Sequence, residues 1–356
     1  MASTITSNTS RDRSASERTA PERLRLTSSR TITLAASTLV VLTLALFASV
    51  ALGARVVSLD DVVSALGGSE DNLSQIAVRQ RLPRTVLAVL VGAANAIGGA
   101  ALQGVTRNPL ADPGILGISS GASLAVVIGI AFFGLSSPLG YLWVAIAGSA
   151  GAALFVWVLG STGFGGPTPI KLALAGAATW AAFSSLISAI LLPRVDVMDQ
   201  FRFWQIGGVG GAEWDRIALV SPFFAAGALV CLGSARGINA LALGDDVAAG
   251  LGARVARTRL VASLGAVTLV GAATAVAGPI AFVGLVVPHL MRAVVGVDHR
   301  HLLPFCALGG AVLLVCSDVV GRVVTRPSEL DVGIVTAFVG APVFIGVIRS
   351  DRVRLR

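Results

Sequence analysis

The chain has 356 residues, of which 54% are hydrophobic and only 13% are charged, and its mean hydropathy is +0.83. A soluble domain usually has about 25% charged residues, so this composition excludes a soluble globular protein and predicts one that lies in lipid. The net charge of +8 comes from basic residues that are spread over the ends of apolar segments. Because they form no single stripe, nucleic acid is not an expected partner.

The first 30 residues differ from the rest, because they are rich in Ser, Thr and Arg and contain few apolar residues before Leu24. This composition predicts a disordered tail over residues 1–30. The apolar run from Thr31 to Ala54 could belong to a secretory signal or to a first transmembrane helix. It is longer than the apolar part of a typical signal, and no clear cleavage motif follows, so we expect a helix that spans the membrane.

Ten segments are apolar and close to the length of about 20 residues that a helix needs to cross a bilayer. They lie at 32–54, 85–106, 115–134, 139–160, 170–192, 217–234, 259–277, 279–296, 302–321 and 332–348. We therefore expect an all-α polytopic membrane protein with about ten transmembrane helices. One transmembrane domain would cover residues 31–350, and residues 351–356 would form a short tail.

The distribution of charge predicts the orientation. An even number of spans places both termini on one side of the membrane, and if that side is the cytoplasm, the inner segments contain 18 of the 27 basic residues. This excess is what the positive-inside rule expects. We therefore predict a multi-pass protein of the cytoplasmic (inner) membrane, with both termini in the cytoplasm.

Small residues recur at every fourth position of two predicted spans. They are Gly92, Ala96, Ala100 and Gly104 in the second span, and Gly117, Gly121, Ala125 and Gly129 in the third. Such ladders let the backbones of neighbouring helices come close together in lipid. We expect both ladders to be packing surfaces.

The sequence indicates no catalytic chemistry. It contains no GxxxxGK[ST] loop, and its only lysine, Lys171, follows two prolines, so ATP hydrolysis by this chain is not expected. His299 and His301 could touch a metal, but no cysteine and few carboxylates accompany them, which favours a solvated loop. No cofactor, catalytic residue or metal site is therefore expected in this chain.

An ion-coupled transporter would normally have an ionisable group near the middle of the membrane. The clearest candidate within a span is Asp318, but Arg322 lies one helical turn further on, so a local ion pair is the simpler interpretation. We expect the energy for any transport to come from another subunit.

Several longer strings of residues are more specific. Arg107-Asn108-Pro109-Leu110-Ala111-Asp112-Pro113-Gly114 joins the second and third spans, and its prolines predict a tight turn. Further strings cover 81–84, 243–252, 278–289, 298–300, 333–336 and 340–342. Together they resemble the FecCD-type permeases, the membrane subunits of type II ABC importers for ferric siderophores, haem and vitamin B12.

The resemblance implies alternating access in a complex with several partners. These are two cytoplasmic ATPase subunits that use ATP and Mg, a second permease subunit that is identical or related, and an extracytoplasmic substrate-binding protein, with membrane lipid around the spans. Ferric siderophore is the first choice of ligand, and haem and cobalamin remain alternatives. An ion-coupled secondary transporter and a membrane scaffold are the rival classes.

The resemblance also implies a loop on the cytoplasmic side that couples the permease to the ATPase. The implied residues are Leu243, Gly244, Asp245, Asp246, Ala248, Ala249, Gly250, Leu251, Gly252 and Arg254. The small residues among them would permit close docking. Arg254, Arg257 and Arg259 could pair with acidic groups of the ATPase.

On the outer side, Arg81, Arg84 and Arg322 match arginines that meet carboxylates of the binding protein in the vitamin B12 permease. Arginine suits this role because its planar group holds a carboxylate through two hydrogen bonds. For the translocation path we expect weakly polar groups, namely Asn95, Gln103, Ser119 and Ser120. The chain has Glu329-Leu330-Asp331 where the family commonly has Glu-Leu-Pro.

Overall fold

The computed structural model describes residues 28–109, 111, 117–163 and 168–354, and within them it contains fourteen helices and no strand. In chain order these are α1 (Ser28–Ala51), α2 (Leu59–Leu66), α3 (Leu73–Thr106), α4 (Ile118–Phe133), α5 (Pro138–Ser161), α6 (Pro169–Leu191), α7 (Val195–Gln205), α8 (Trp214–Gly233), α9 (Ala235–Leu241), α10 (Asp245–Gly250), α11 (Val255–Ala277), α12 (Val283–Val295), α13 (His299–Val324) and α14 (Val332–Arg354). The all-α fold class is confirmed. Most of the predicted N-terminal tail, residues 355–356 and part of the 107–114 string lie outside the described residues.

Ten of these helices occupy the positions of the ten predicted spans, and they are α1, α3, α4, α5, α6, α8, α11, α12, α13 and α14. Within the described part of the chain, seven are long and apolar enough to cross a membrane by themselves. The other three, α4, α12 and residues 332–346 of α14, are shorter apolar helices. A span of this length needs support from its neighbours or a locally thinner bilayer.

Two predicted boundaries were wrong. α3 begins at Leu73 and not at residue 85. Pro83 lies inside the helix, where it removes only one backbone hydrogen-bond donor, so it does not mark the start of the helix. The eighth span was expected from residue 279, but α12 begins only at Val283. The residues before it are not helical, and both Gly278 and Phe282 have a positive φ.

The sequence analysis missed four short helices, which are α2, α7, α9 and α10. α2 has a recognisable start, because the Ser58 side chain accepts a hydrogen bond from the Asp61 backbone N–H, as in a capping box. Val62 and Ala65 on its inner face pack against Val78 of α3 in a small separate apolar cluster. α2 therefore covers the first turns of α3.

α3 is the central helix, and 78% of the residues in its most apolar 18-residue stretch are buried. Its ladder of small residues faces α9 and α13, because a side chain at Gly104 would meet that of Ile238, and one at Gly92 would meet the backbone of Gly310. In α4, Gly121 has the same relation to Gly148 of α5. The predicted use of small residues for close helix packing is confirmed at these positions.

The bundle has two ends, which we name after the charged groups there. The Arg84 end contains Arg84, Asp318 and Glu329, and the Asp245 end contains Arg107, Asp245 and Asp298. α1 ends and α14 begins at the Arg84 end, because Arg322 binds the carbonyl oxygen of Leu52 and the Gly333 N–H binds that of Gly207. The start of α1 and the end of α14 therefore both point towards the Asp245 end.

Candidate functional site

A cavity of about 290 Å³ lies between α3, α4, α6, α7, α11 and the segment that leads into α12. Its polar lining consists of uncharged side chains, which are Asn95, Ser119, Ser120, Ser123, Ser184 and Gln205. The remaining lining is apolar or small, namely Trp180, Ile187, Val270, Pro279, Ile280, Ala281 and Gly284. Among these lining residues there is no charge, so the cavity offers hydrogen bonds without a fixed electrostatic preference.

Three of the four residues that were expected on the translocation path line this cavity. Asn95 is held by a hydrogen bond from its Nδ2 to the carbonyl oxygen of Val91 at 3.0 Å, and Ser120 donates to that of Gly117 at 3.1 Å. Ser119 is the third. Ser123 was missed, although it lies one helical turn after Ser119 and Ser120 and therefore shares their face of α4.

The fourth expected path residue, Gln103, does not line the cavity. It is 2% exposed, and its Nε2 donates to the carbonyl oxygen of Gly284 at 3.1 Å, which fastens α3 to the first turn of α12. Its Oε1 is buried without a hydrogen-bond partner. Gln103 lies eight residues beyond Asn95 on α3, which is about 12 Å along the helix axis, so this residue is a link between helices.

At the Asp245 end, the residues that were expected to couple to an ATPase form α10 and the turns beside it, and together with α9, which precedes them, they make one segment. Leu243, Val247 and Leu251 are 59%, 52% and 69% exposed. They lie in α10 and on either side of it, and we call these three exposed apolar side chains the apolar ridge. Larger apolar side chains thus protrude beside the exposed small residues Ala249, Gly250 and Gly252, and Val247 was not among the predicted residues. The docking of an ATPase here stays a prediction.

The glycines of this segment have a different function. Gly244 precedes α10 with a φ of +105° and Gly252 follows it with a φ of +82°, values that favour glycine. A side chain at Gly250 would meet open space. Ala248 is fully buried, and Asp246 and Ala249 are exposed. Gly244 and Gly252 therefore shape the turns on either side of α10.

Asp245 connects this segment to two long helices. Its carboxylate forms an ion pair with Arg107, the residue that caps α3, and it accepts hydrogen bonds from Nη2 of Arg259 in α11 at 2.8 and 2.9 Å. Burial lowers the pKa of Arg107, and the charge of Arg259 lowers it further. Arg259 is therefore occupied within the chain, whereas Arg254 and Arg257 are exposed.

α9 is fastened at a second point. Asn239 donates to Asp298 Oδ1 at 2.6 Å, and its Oδ1 accepts from the backbone N–H of His299 at 3.0 Å and contacts His299 Nδ1 at 2.8 Å. Burial raises the pKa of Asp298, but hydrogen bonds from Arg300 and Asn239 lower it by more. The expected solvated loop was wrong for His299, which is 6% exposed at the start of α13.

At the Arg84 end, Asp318 is the centre of a buried ion network. Its carboxylate pairs with Arg84 at 2.8 Å and with Arg322 at 2.9 Å, and it is 1% exposed. Arg84 also pairs with Glu329 at 2.6 Å. The expected pair of Asp318 and Arg322 is confirmed, and Arg84, which precedes them by more than 230 residues, joins it.

The three arginines that were expected to meet a binding protein have their partners inside the chain. Arg81 donates to the carbonyl oxygens of Val50, Ala51 and Arg55 at 2.8–3.0 Å. Arg322 donates to those of Ser49 and Leu52 at 3.0 and 3.1 Å. This corrects the expectation for Arg81 and Arg322, which are 6% and 1% exposed and hold α1 against α3 and α13.

The segment before α14 contains the departure from the family pattern. Asp331 directly precedes the helix, and its side chain lies next to Gly208, where an added Cβ would be 2.6 Å from Asp331 Oδ1. Burial raises the pKa of Asp331 despite the nearby charge of Arg84.

Across the described residues, no group of three or more His, Cys, Asp or Glu side chains could hold a metal ion.

Comparisons with known proteins agree with this architecture. The model of the FecCD transport family matches residues 41–350. The ferric enterobactin transport system permease protein FepD of Escherichia coli (strain K12) is 44% identical over 313 residues, which cover 87% of this chain and 93% of FepD. The hemin transport system permease protein HmuU of Yersinia pestis is 40% identical over 289 residues, which cover 80% and 86% of the two chains.

Solved structures show the same fold. A metal-chelate type ABC transporter in an inward-facing conformation has a TM-score of 0.78 and 28% identity, and the match covers 90% of this chain and 99% of that one. PsaBC from Streptococcus pneumoniae has a TM-score of 0.56 at 17% identity and supports the fold alone. The chain therefore belongs to the FecCD transport family and is a multi-pass permease of the ABC importer type.

Proposed function

We propose that this chain is the permease subunit of an ABC importer that takes up ferric siderophores by alternating access. The observation that carries the proposal is the uncharged polar cavity between α3, α4, α6 and α11. A lining of hydroxyl and amide groups can hydrogen-bond to the oxygen-rich surface of an iron chelate, and without a charged partner it does not hold the chelate tightly. Weak binding of this kind allows release on the other side.

The cavity is separated from the Arg84 end by a short strap of backbone. The N–H of Gly208 donates to the carbonyl oxygen of Ala277 at 2.8 Å, and the N–H of Gly333 donates to that of Gly207 at 3.1 Å. Gln205 and Pro279, which flank these contacts in sequence, line the cavity. In the proposed cycle this strap opens when the loaded binding protein docks and closes before release.

A second permease subunit completes the cavity. In the most apolar 18-residue stretch of α6, only 11% of the residues are buried within the chain. Trp180 of this helix lines the cavity and is nevertheless 57% exposed. One wall of the cavity thus belongs to a helix that lies on the outside of the single chain. A second copy and a related chain both fit this role.

The remaining partners follow from the two ends. We assign the Asp245 end, with its exposed apolar ridge, to the cytoplasm of a cell with an inner membrane, where two ATPase subunits bind ATP and Mg. The Arg84 end is assigned to the outer side, where the substrate-binding protein docks. There Arg84 maintains the shape of the docking surface together with Arg81 and Arg322, because their guanidinium groups have partners within the chain.

Uptake measurements test the proposal. Cells that lack the chain, and the same cells with the chain restored, are given ⁵⁵Fe-labelled ferric enterobactin, a ⁵⁵Fe-labelled ferric hydroxamate, haem and labelled cobalamin. We expect uptake of at least one ferric siderophore to depend on the chain. Dependence of haem or cobalamin uptake alone would replace the ligand and keep the transporter, and no dependence for any ligand would contradict importer function.

A second arm separates the rival class. If ATP is depleted while the proton gradient is maintained, uptake by an ABC importer stops, whereas an ion-coupled secondary transporter continues. Continued uptake under these conditions would refute the proposed energy source. Co-purification of the chain with an ATPase subunit would separately contradict a secondary transporter that works alone, and ATP-dependent uptake of the ligand in vesicles would exclude a membrane scaffold without transport.

A further inference from the structure

Asp245 occupies a special position in the segment that faces the proposed ATPase. It lies at the start of α10, between the exposed side chains of Leu243 and Val247. Its carboxylate is 43% exposed, and it contacts two arginines that belong to different long helices. This one carboxylate therefore links α10 to both helices.

The two helices that Asp245 holds both line the cavity. Arg107 follows the last residue of α3, and Asn95 of α3 lines the cavity 12 residues earlier, about 18 Å along the axis. Arg259 lies in the second turn of α11, and Val270 of α11 lines the cavity about 16 Å further along. Each arginine thus stands at the Asp245 end of a helix that forms a cavity wall.

The other attachment of the segment lacks this property. Asn239 fastens α9 to Asp298 and His299 at the start of α13, and among the described residues α13 contributes nothing to the cavity lining. α9 also packs against the two cavity helices, because a side chain at Gly104 of α3 would meet Ile238 and one at Gly237 would meet Thr258 of α11, but the polar contacts of Asn239 are made to α13. Of these two sets of polar contacts, those of Asp245 are made to helices that line the cavity, and those of Asn239 are not.

The strength of the two arginine contacts also differs. Arg259 is 9% exposed and makes charge-assisted hydrogen bonds to both carboxylate oxygens, whereas Arg107 is 32% exposed, so its ion pair is more open to solvent. Charge-assisted contacts of the first kind are the stronger ones. Asp245 is therefore fixed firmly to α11 and less firmly to α3. The end of α3 can shift relative to α10 at a smaller cost in free energy than the end of α11 can.

From this geometry we propose that Asp245 is the positioning residue that transmits movement of the ATPase-facing segment to the cavity walls, through Arg107 on α3 and Arg259 on α11. The proposal rests on the proposed function, because it assumes that an ATPase moves α10. Asp245 itself touches neither the cavity nor, by this argument, the substrate. Its replacement should uncouple the cavity from the nucleotide state and leave ATP hydrolysis in place.

The test follows the cavity without any substrate. Cys316, the exposed native cysteine, is replaced by alanine, and Ser119→Cys places a reporter thiol on the cavity wall. The complex of the full chain with its co-purifying ATPase is reconstituted in lipid vesicles, and the rate of maleimide labelling is measured without nucleotide and with ATP and vanadate. ATP hydrolysis is measured on the same preparations.

With Asp245 present, we expect the labelling rate to differ about fivefold or more between the two nucleotide states, as for a typical allosteric coupling. Asp245→Asn should reduce this ratio to about one, while the complex still hydrolyses ATP. Asp60→Asn is the control, because this exposed carboxylate lies in α2, outside the segment that faces the proposed ATPase, and among the described residues its side chain has no ion pair or hydrogen bond; it should keep the full ratio. Arg107→Gln should give an intermediate ratio, since Arg259 still holds Asp245.

The possible failures are distinguishable. If labelling did not depend on nucleotide even with Asp245 present, the proposed function itself would be refuted. If labelling depended on nucleotide and Asp245→Asn kept the full ratio, the positioning role alone would be refuted. Loss of the ATPase from the Asp245→Asn complex would also overturn it, because Asp245 would then serve docking and not transmission.

Discussion

Replacement of Asp318 by asparagine tests whether the buried ion network holds the Arg84 end together. The carboxylate receives three guanidinium N–H groups, which are Arg84 Nη2 at 2.8 Å, Arg84 Nε at 3.0 Å and Arg322 Nη2 at 2.9 Å. An amide of the same size has no negative charge and brings its own donor into a site that already contains donors. Both arginines would then be buried against an unsuitable partner.

The expected loss of stability follows from the remaining contacts. Removal of one partner from a buried ion pair costs about 3–5 kcal/mol. Arg84 keeps Glu329 at 2.6 Å, and Arg322 keeps the carbonyl oxygens of Ser49 and Leu52. We therefore expect Asp318→Asn to lower the free energy of unfolding by about 3 kcal/mol, at the lower end of that range.

The assay is unfolding in mixed micelles by added SDS, followed through the fluorescence of the five tryptophans. Glu329→Gln is the control, because Glu329 is 39% exposed and such a pair contributes at most about 1 kcal/mol. In Asp318→Asn/Arg84→Gln, the loss should be smaller than the sum of the single losses by about 1 kcal/mol or more. Equal losses for Asp318→Asn and Glu329→Gln would refute a network centred on Asp318.

Three further predictions follow from the packing, the cavity and the apolar ridge. Gly99→Ala should lower the free energy of unfolding by about 2 kcal/mol in the same SDS titration, because its Cβ would meet the backbone of α12, whereas Gly151→Ala, which faces open space, should have little effect. Asn95→Leu should slow uptake of the labelled siderophore without loss of ATPase from the purified complex, and an unchanged uptake rate would remove Asn95 from the path. Leu251→Asp should weaken co-purification of the ATPase about tenfold, since this side chain is 69% exposed on the ridge. Leu192→Asp, at a site that is 79% exposed at the other end, should leave co-purification unchanged.

The positions of the ten helices at the predicted spans could be predicted because an apolar run has one stable arrangement in lipid. The small-residue ladder that contains Gly92 was equally informative, since close backbone approach requires small side chains. The start of α3 was not predictable in this way. The first turns of α3, from Leu73, pack against α2. They are surrounded by protein and water and not by lipid, so their side chains need not be apolar and the hydrophobic pattern does not show where the helix begins.

The functional residues were predicted unevenly for a related reason. Asn95, Ser119 and Ser120 could be chosen because polar side chains are rare within apolar spans, but the same criterion selected Gln103, which binds the backbone of Gly284 instead. Polarity alone does not say whether a side chain faces a cavity or a neighbouring helix. Only the rotation of α3 against α12 separates the two cases.

The arginines at the Arg84 end show a second limit. Their match to arginines of the family indicated a surface for a partner, but the carboxylate that Arg84 binds, Asp318, lies in a helix more than 230 residues later in this same chain. No local pattern in the sequence connects Arg84 with Asp318. The contact depends on the assembled bundle, in which α3 and α13 lie side by side.

The length of α3 has an energetic consequence for the whole transporter. Arg84 and Arg107 are joined by an uninterrupted helix, about 34 Å apart along its axis, and each binds the charged cluster at its own end. If the external binding protein and the ATPase each favour one position of α3, thermodynamic linkage requires their effects to be mutual. The factor by which a docked binding protein tightens nucleotide binding then equals the factor by which nucleotide tightens the hold on the binding protein.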